Sequence, residues 1–216
     1  MNNKYIMNLE NLKIEMLEMA NKAKSQLNYA FSLYFDDEVD KNYKIDPSII
    51  DQFERKIEEE CLNIILRERP FASDLRIVTG YFKVCEDIER LGDHSEDIEW
   101  CSKNLVSEHD ALKIEDLNNM IIEAKSMVEN SLKALFNGDV ELANEVINHD
   151  DIIDKLYLKV LSLLPSLKKE NKLNDNFLIY YTLVAKYVER IADHASNIAE
   201  WAVYIKNGYY KDMNIL

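Results

Sequence analysis

Apolar residues recur every three or four positions along almost the whole chain, and the breaks in that rhythm divide it into six stretches. Leu9, Leu12, Met16, Ala20, Ala23, Leu27, Ala30 and Tyr34 describe one long amphipathic helix, which the acidic run Asp36-Asp37-Glu38 interrupts. Asp46-Pro47 predicts the start of a second helix, a capping acid followed by a proline in the first turn, and Ile50, Phe53, Ile57, Cys61 and Ile64 line its inner face until Pro70 stops it. Ser73-Asp74 offers caps for a third helix that runs towards Leu105. After the polar stretch Ser107-Glu108-His109-Asp110 the plan repeats. Ile114, Leu117, Ile121, Ala124, Val128, Leu132 and Leu135 mark helix four, ended by Asn137-Gly138. Helix five starts near Val140 and is expected to fade after Pro165, a linker from Lys168 to Asn174 follows, and helix six ends at Gly208. No segment reads as a strand, so the pattern predicts an all-α fold of two tandem antiparallel three-helix bundles, residues 1–106 and 107–216.

Two phrases explain the division into halves. Glu89-Arg90-Leu91-Gly92-Asp93-His94 returns one hundred residues later as Glu189-Arg190-Ile191-Ala192-Asp193-His194. Tyr81 and Tyr181, Val84 and Val184, and Ile98 and Ile198 keep the same register, which marks an internal duplication. At about 100° per residue, Glu86, Asp93, Glu96 and Asp97 fall within roughly 80° of Glu89, whereas Val84, Ile88, Leu91, Ser95 and Ile98 fall at roughly 180–260°. The third helix is therefore expected to carry a carboxylate stripe outside its core-facing arc. Helix six repeats this with Glu189, Asp193, Asn197 and Glu200 against Val184, Val188, Ile191 and Ile198.

A charged face opposite an apolar one is what any surface helix shows. Three features set these stripes apart: like charges at i,i+4 repel by a few tenths of a kcal/mol, the same residue identities recur in both halves, and clustered carboxylate oxygens are the ligands that hard and borderline cations prefer. Arg90, His94, Arg190 and His194 lie beside the acids and are expected to orient them or to contact a partner.

Composition narrows the function classes. The chain has 216 residues, 31% of them charged, only four Gly and three Pro, and a net charge of -14. That charge argues against nucleic acid and against direct membrane docking, and favours cations and basic protein surfaces. Cys61, Cys85 and Cys101 are odd in number without ligand spacing, which fits a reducing cytoplasm. No apolar run reaches the roughly 18 residues that a bilayer span needs, and the N-terminus lacks a signal-peptide core.

The run Arg69-Pro70-Phe71-Ala72-Ser73-Asp74-Leu75-Arg76, then Glu86-Asp87-Ile88-Glu89-Arg90-Leu91-Gly92-Asp93-His94, resembles the PhoU family, accessory regulators of bacterial phosphate uptake. Tyr187 to Glu200 resembles the family's second motif, and the Ile-Asp steps Ile50-Asp51 and Ile153-Asp154 extend the likeness across essentially the whole chain. The resemblance implies two similar three-helix bundles and metal ions held by the Glu-x-x-x-Asp motifs, with iron or zinc first and magnesium, manganese or nickel as further candidates. It implies ligands among Glu86, Glu89, Asp93, Asp97, Glu189, Asp193, Asn197, Glu200, Asp51, Asp150 and Asp154, with Arg76 as a supporting residue. It further implies negative regulation of the phosphate-starvation response, with the phosphate ABC transporter's ATPase and a sensor histidine kinase as partners, a homodimer as another candidate assembly, and no catalysis. The expected location is the cytoplasm, at most peripheral to the membrane through those partners.

The copies also differ. Asp150 stands four residues before Asp154, whereas Pro47 stands four before Asp51. Lys186 replaces Glu86 and Asn197 replaces Asp97, so the second stripe should bind metal more weakly. Inward-facing ferritin-like sites use Glu-x-x-His, which neither phrase offers. His109, His149-Asp150 and Asp193 have the chain order of a metal-dependent phosphohydrolase, though an isolated His-Asp pair is common by chance, and a surface His149 is the plainer reading. A metal-binding bundle without a phosphate role is the other alternative. Trp100 and Trp201 are expected to be packing residues, and Tyr204, Tyr209 and Tyr210 a frayed C-terminal cap or a sticky surface.

Overall fold

A computed structural model describes residues 3–35, 44–106, 114–210 and 213–214. The acidic run 36–38 and the polar stretch 107–110, with His109 and the boundary placed after residue 106, lie outside them. Six helices follow in chain order: α1 (Asn3–Phe35), α2 (Pro47–Glu68), α3 (Ser73–Val106), α4 (Glu115–Asn137), α5 (Val140–Lys169) and α6 (Asp175–Asn207).

Their ends lie where the local chemistry places them. Asp46 caps α2 by accepting from the Ser48 amide at 3.0 Å, with Pro47 in the first turn. Asp139 and Asn174 accept from Leu142 N and Phe177 N at the starts of α5 and α6. Gly138 and Gly208 take the left-handed conformation, φ 65° and 82°, that closes α4 and α6. Helix α5 does not fade at Pro165 but continues to Lys169. An interior proline costs about 3 kcal/mol; the burial of Leu164 and the packing of Leu163 and Leu167 on the core hold the helix through it. The chain also ends in two strands of two residues each, β1 (Tyr209–Tyr210) and β2 (Met213–Asn214), paired antiparallel, where a frayed cap was expected. Tyr210 stacks on Trp201 with ring centroids 4.0 Å apart.

Helices α1, α2 and α3 form one antiparallel bundle, α4, α5 and α6 the other, and the buried side chains of both make one continuous apolar cluster. The halves meet mainly through α3 against α6. Asp87 meets His194, Trp100 meets Tyr180 and Gly80 meets Ile205, so these helices run antiparallel. Subtracting or adding 100 turns the Asp87–His194 contact into the His94–Tyr187 contact, which is also present. A pseudo-two-fold axis therefore relates the two repeats and passes between the two motif phrases. Trp100 is 57% exposed and meets Tyr180 only edge-on, so it is not the buried packing residue expected.

Candidate functional site

The predicted core arc of α3 is buried as expected, Val84, Ile88, Leu91, Ser95 and Ile98 all lying inside. The acidic stripe is not freely solvated. Glu89 retains 14% of its side-chain exposure and Asp93 43%, because the stripe lies along the seam between α3 and α2. Gly92 permits the close approach: a Cβ there would stand 2.8 Å from Ile50 Cδ1, one residue before Asp51.

Asp51 thus joins the stripe, and the carboxylates of the seam raise one another. Burial, then Asp93, pushes Glu89 up to about 7, with Glu54 and Asp51 adding to the rise and Arg90 opposing it. Glu54 is raised by burial, Glu58, Asp51 and Glu86. Glu96 is raised by burial and by Asp93, Glu99 and Asp51, and Asp97 by burial and Asp93. Arg90 is the nearest counter-charge: its Nη1 donates to Asp93 Oδ2 at 2.9 Å and its Nε stands 3.4 Å from Glu89 Oε2. Glu89 Oε2 and Glu96 Oε1 are buried without a hydrogen-bond donor. Glu54 and Glu58 escaped the sequence reading because α2 carries no Glu-x-x-x-Asp phrase, although both stand on the helix face that leads to Asp51.

Glu99, six residues beyond Asp93, has the opposite outcome. Burial pushes its carboxyl up, yet hydrogen bonds from Lys103, Lys44 and Gln26 outweigh that and hold it below the usual carboxylate range. Gln26 Nε2 donates at 3.0 Å and Lys44 Nζ at 3.0 Å. The fold therefore neutralises one buried acid of α3 and leaves the Glu89 group unbalanced.

The second seam, α5 against α6, has fewer acids and a cation of its own. Asp193 is pushed up to about 6 by burial, Glu189 and Asp150, and Asp150 is raised by burial with Asp154 and Glu189 contributing. Asp154, the counterpart of Asp51 in sequence, is exposed, and Asp150 is the acid that affects Asp193. Lys186 Nζ bonds Glu189 Oε2 at 3.0 Å and lies 5.8 Å over the Tyr157 ring. Arg190 spans Glu189 and Asp193 at 3.8 Å to each. Glu200 is half-buried one helix turn beyond Ser196.

Between the seams, on the pseudo-two-fold axis, lies a polar cluster that sequence reasoning missed. Asp87 is buried and accepts at Oδ1 from His194 Nδ1 at 2.9 Å and from Asn197 Nδ2 at 3.1 Å. The His194 proton therefore stands on Nδ1, and the Asn197 amide serves the interface between repeats. His94 packs against Tyr187 and His194, ring centroids 5.7 and 5.5 Å away, with Nδ1 3.7 Å from Asp97 Oδ2. Burial and His194 push His94 down to about 4, so it is neutral at pH 7. Arg76 lies elsewhere: its Nε donates to the Ile205 carbonyl at 3.4 Å, a cation at the C-terminus of α6. His149 bonds Glu123 on α4 at 2.7 Å.

The donor chemistry of the first seam suits a hard cation, since the oxygens are carboxylate, partly desolvated and short of positive charge. Among the described residues no three His, Cys, Asp or Glu side chains converge as a ligand group, so the seam as it stands presents charge and carboxylate oxygens without hydrogen-bond donors rather than a closed coordination shell. Among the described residues no helix is long and apolar enough to cross a membrane.

A family model described as the PhoU domain matches the chain twice, at residues 16–99 and 117–202. A phosphate-specific transport system accessory protein PhoU homolog from Clostridium acetobutylicum is 34% identical over 214 residues, covering 95% of both chains. The crystal structure of PhoU from Pseudomonas aeruginosa superposes with a TM-score of 0.88 at 28% identity, over 95% of this chain and 100% of that one. The phosphate transport system regulatory protein PhoU from Streptococcus pneumoniae gives 0.71 at 25% identity, over 97% of each chain. Both halves carry the family's domain, its six-helix arrangement is kept, and the chain belongs to the PhoU family.

Proposed function

We propose that this chain is a cation-binding, non-enzymatic regulator of phosphate uptake. It would act as a negative regulator of the phosphate-starvation response through the phosphate transporter's ATPase and a sensor kinase, in the cytoplasm. Relatives at up to 34% identity are named as accessory proteins of the phosphate-specific transport system, which supports the phosphate role. The observation that carries the cation reading is the first seam, where burial first, and then the acids Asp93, Glu54 and Asp51, push Glu89 up to about 7 and leave Glu89 Oε2 and Glu96 Oε1 buried without hydrogen-bond donors.

In that seam Asp51, Glu89 and Asp93 would hold the ion, with Glu54, Glu86, Glu96 and Asp97 around them. In the second, Asp150, Glu189 and Asp193 would do so, with Asp154 and Glu200 at the edge. A bound ion of the iron, zinc, manganese, magnesium or nickel kind supplies the positive charge that these side chains lack. The chain's own residues do the rest. Arg90 and Arg190 orient the Glu and Asp of each phrase, and the Asp87–His194–Asn197 bonds keep the two seams at a fixed spacing across the axis. The surface so neutralised is the one a transporter or kinase domain would contact.

The test is a phosphate-starvation reporter followed in high phosphate in cells lacking this chain, complemented by the natural chain or by Glu89→Gln/Asp93→Asn. A reporter that switches on without the protein, and stays on with the double variant, is the expected result. A reporter silent in the deletion strain would end the phosphate assignment, and full rescue by the double variant would remove the first seam from the mechanism.

A further inference from the structure

The face of α3 that carries the acids continues towards its N-terminus as an apolar groove. Leu62 and Ile65 of α2, Leu75 and Phe82 of α3, and Trp201 and Tyr204 of α6 line a cavity of about 360 Å³, whose wall also holds Thr79 and the cation Lys83. Leu62 is 50% exposed, and Leu66 and Phe71 extend the apolar surface at 75% and 86% exposure. Contiguous exposed apolar surface of this kind marks interaction sites on soluble proteins.

The duplication supplies an internal control. The α5 positions follow those of α2 with an offset of 103, Ile57 matching Val160 and Cys61 matching Leu164, and the α6 positions follow those of α3 with an offset of 100. Ile65 and Leu75 thus correspond to Lys168 and Asp175, which form an exposed ion pair of 2.7 Å at the equivalent place in the second repeat. At these two positions the apolar lining of the groove is particular to the first repeat.

Charge along the α2–α3 furrow decides what fits. On α2 the groove residues Leu62 and Leu66 follow Glu58 and Glu54 at steps of four, and on α3 Glu86 and Glu89 follow Phe82 at steps of four and three. The furrow is therefore apolar at one end and acidic at the other over about 18 Å, twelve residues of helix. A second copy of a chain with net charge -14 would bring acids against these acids. From this we infer that the furrow docks an amphipathic helix of a partner protein, its apolar stripe seated between Leu62 and Trp201 and its Arg or Lys residues one to three turns further on, opposite Glu58, Glu54 and Glu86. This is the helix-in-groove mode of recognition, with charge setting the direction of the bound helix. The inference goes beyond the cation reading but shares Glu54 and Glu86 with it, so it is tested without metal.

Fluorescence polarisation on the full chain in metal-free buffer tests it. The probes are labelled fourteen-residue amphipathic peptides with one apolar face and an Arg pair at the N-terminal end, an Arg pair at the C-terminal end, or Glu pairs instead. One Arg-ended peptide should bind at low micromolar Kd and the other at least about tenfold more weakly. Glu-ended peptides should bind more weakly than either. Leu62→Asp, a substitution at a half-exposed position, should weaken binding at least about tenfold with an unchanged melting curve. Leu158→Asp, at a 65% exposed position on α5, should leave binding unaltered. Absence of saturable binding, equal binding of Glu-ended peptides, or indifference to Leu62→Asp would overturn the inference. So would sedimentation showing a dimer that Leu62→Asp dissolves, because the occupant would then be a second copy.

Discussion

The two motif helices began as copies, and their differences fall on the residues that meet other charges. In α3, Glu86 adds to the acid group around Glu54 and Glu89, and Gly92 lets Ile50 come close, bringing Asp51 to the stripe. In α6 the matching positions are Lys186, which pairs with Glu189, and Ala192, which carries the Cβ that Gly92 lacks. Glu54 corresponds to Tyr157, so a repelling Glu54–Glu86 pair in one repeat becomes a Tyr157–Lys186 ring contact in the other. The lesson is that a duplicated phrase can keep its Glu, Arg, Asp and His while its electrostatics are set by the neighbouring helix.

The largest expected effect lies where the copies diverge on the axis. Asp87 accepts two hydrogen bonds in a buried place, and its counterpart Tyr187 offers a ring to His94 instead. Asp87→Ala leaves His194 and Asn197 without their acceptor and should cost about 2–3 kcal/mol in urea denaturation. Tyr187→Phe should cost less than about 0.5 kcal/mol. Equal costs would mean that the axis is held by packing alone.

A smaller effect concerns the Glu89 charge in the metal-free protein. Its folded pKa lies above its unfolded value, so the stabilising contribution is fully present below about 4.5 and is lost as the pH rises through about 7. Glu89→Gln removes the penalty of ionisation and should raise stability by about 1 kcal/mol at pH 8, with little change at pH 4.5, as read from thermal melts at both pH values. A variant that is less stable than the natural chain at pH 8 would show that Glu89 is already well compensated.

The smallest is Lys186→Glu, which gives the second seam the charge of the first. Loss of the Lys186–Glu189 bond and the Tyr157 ring contact should cost about 0.5–1 kcal/mol without added metal. Millimolar manganese should recover that loss in a melting experiment; recovery absent, charge is not what separates the seams.

The helices were legible in the sequence because their determinants are local: Asp46-Pro47 and Gly138 act within one turn of themselves. Pro165 was misread because its cost is local while the burial that overrides it is not. The acidic stripes were legible as a spacing, but their half-burial was not, since a helical wheel places a residue on a face without saying which helix covers that face. Asp87 shows this well. It stands at about 160° from Glu89, at the edge of the apolar arc, where only the arrival of α6 decides that it is buried. The sequence signal for it was the mismatch of Asp87 with Tyr187, two residues before the repeated phrase.

The central claim is that the first seam holds the stronger cation site. Manganese titration by calorimetry at pH 7, with proton release measured in parallel, tests it on the natural chain, Glu89→Gln/Asp93→Asn and Asp193→Asn. The account predicts a tight site with proton release, lost in the double variant and kept in Asp193→Asn, beside a weaker site with the reverse pattern. Two sites of equal affinity, or a tight site that survives loss of Glu89 and Asp93, would show that the acids of α3 are not the ligands.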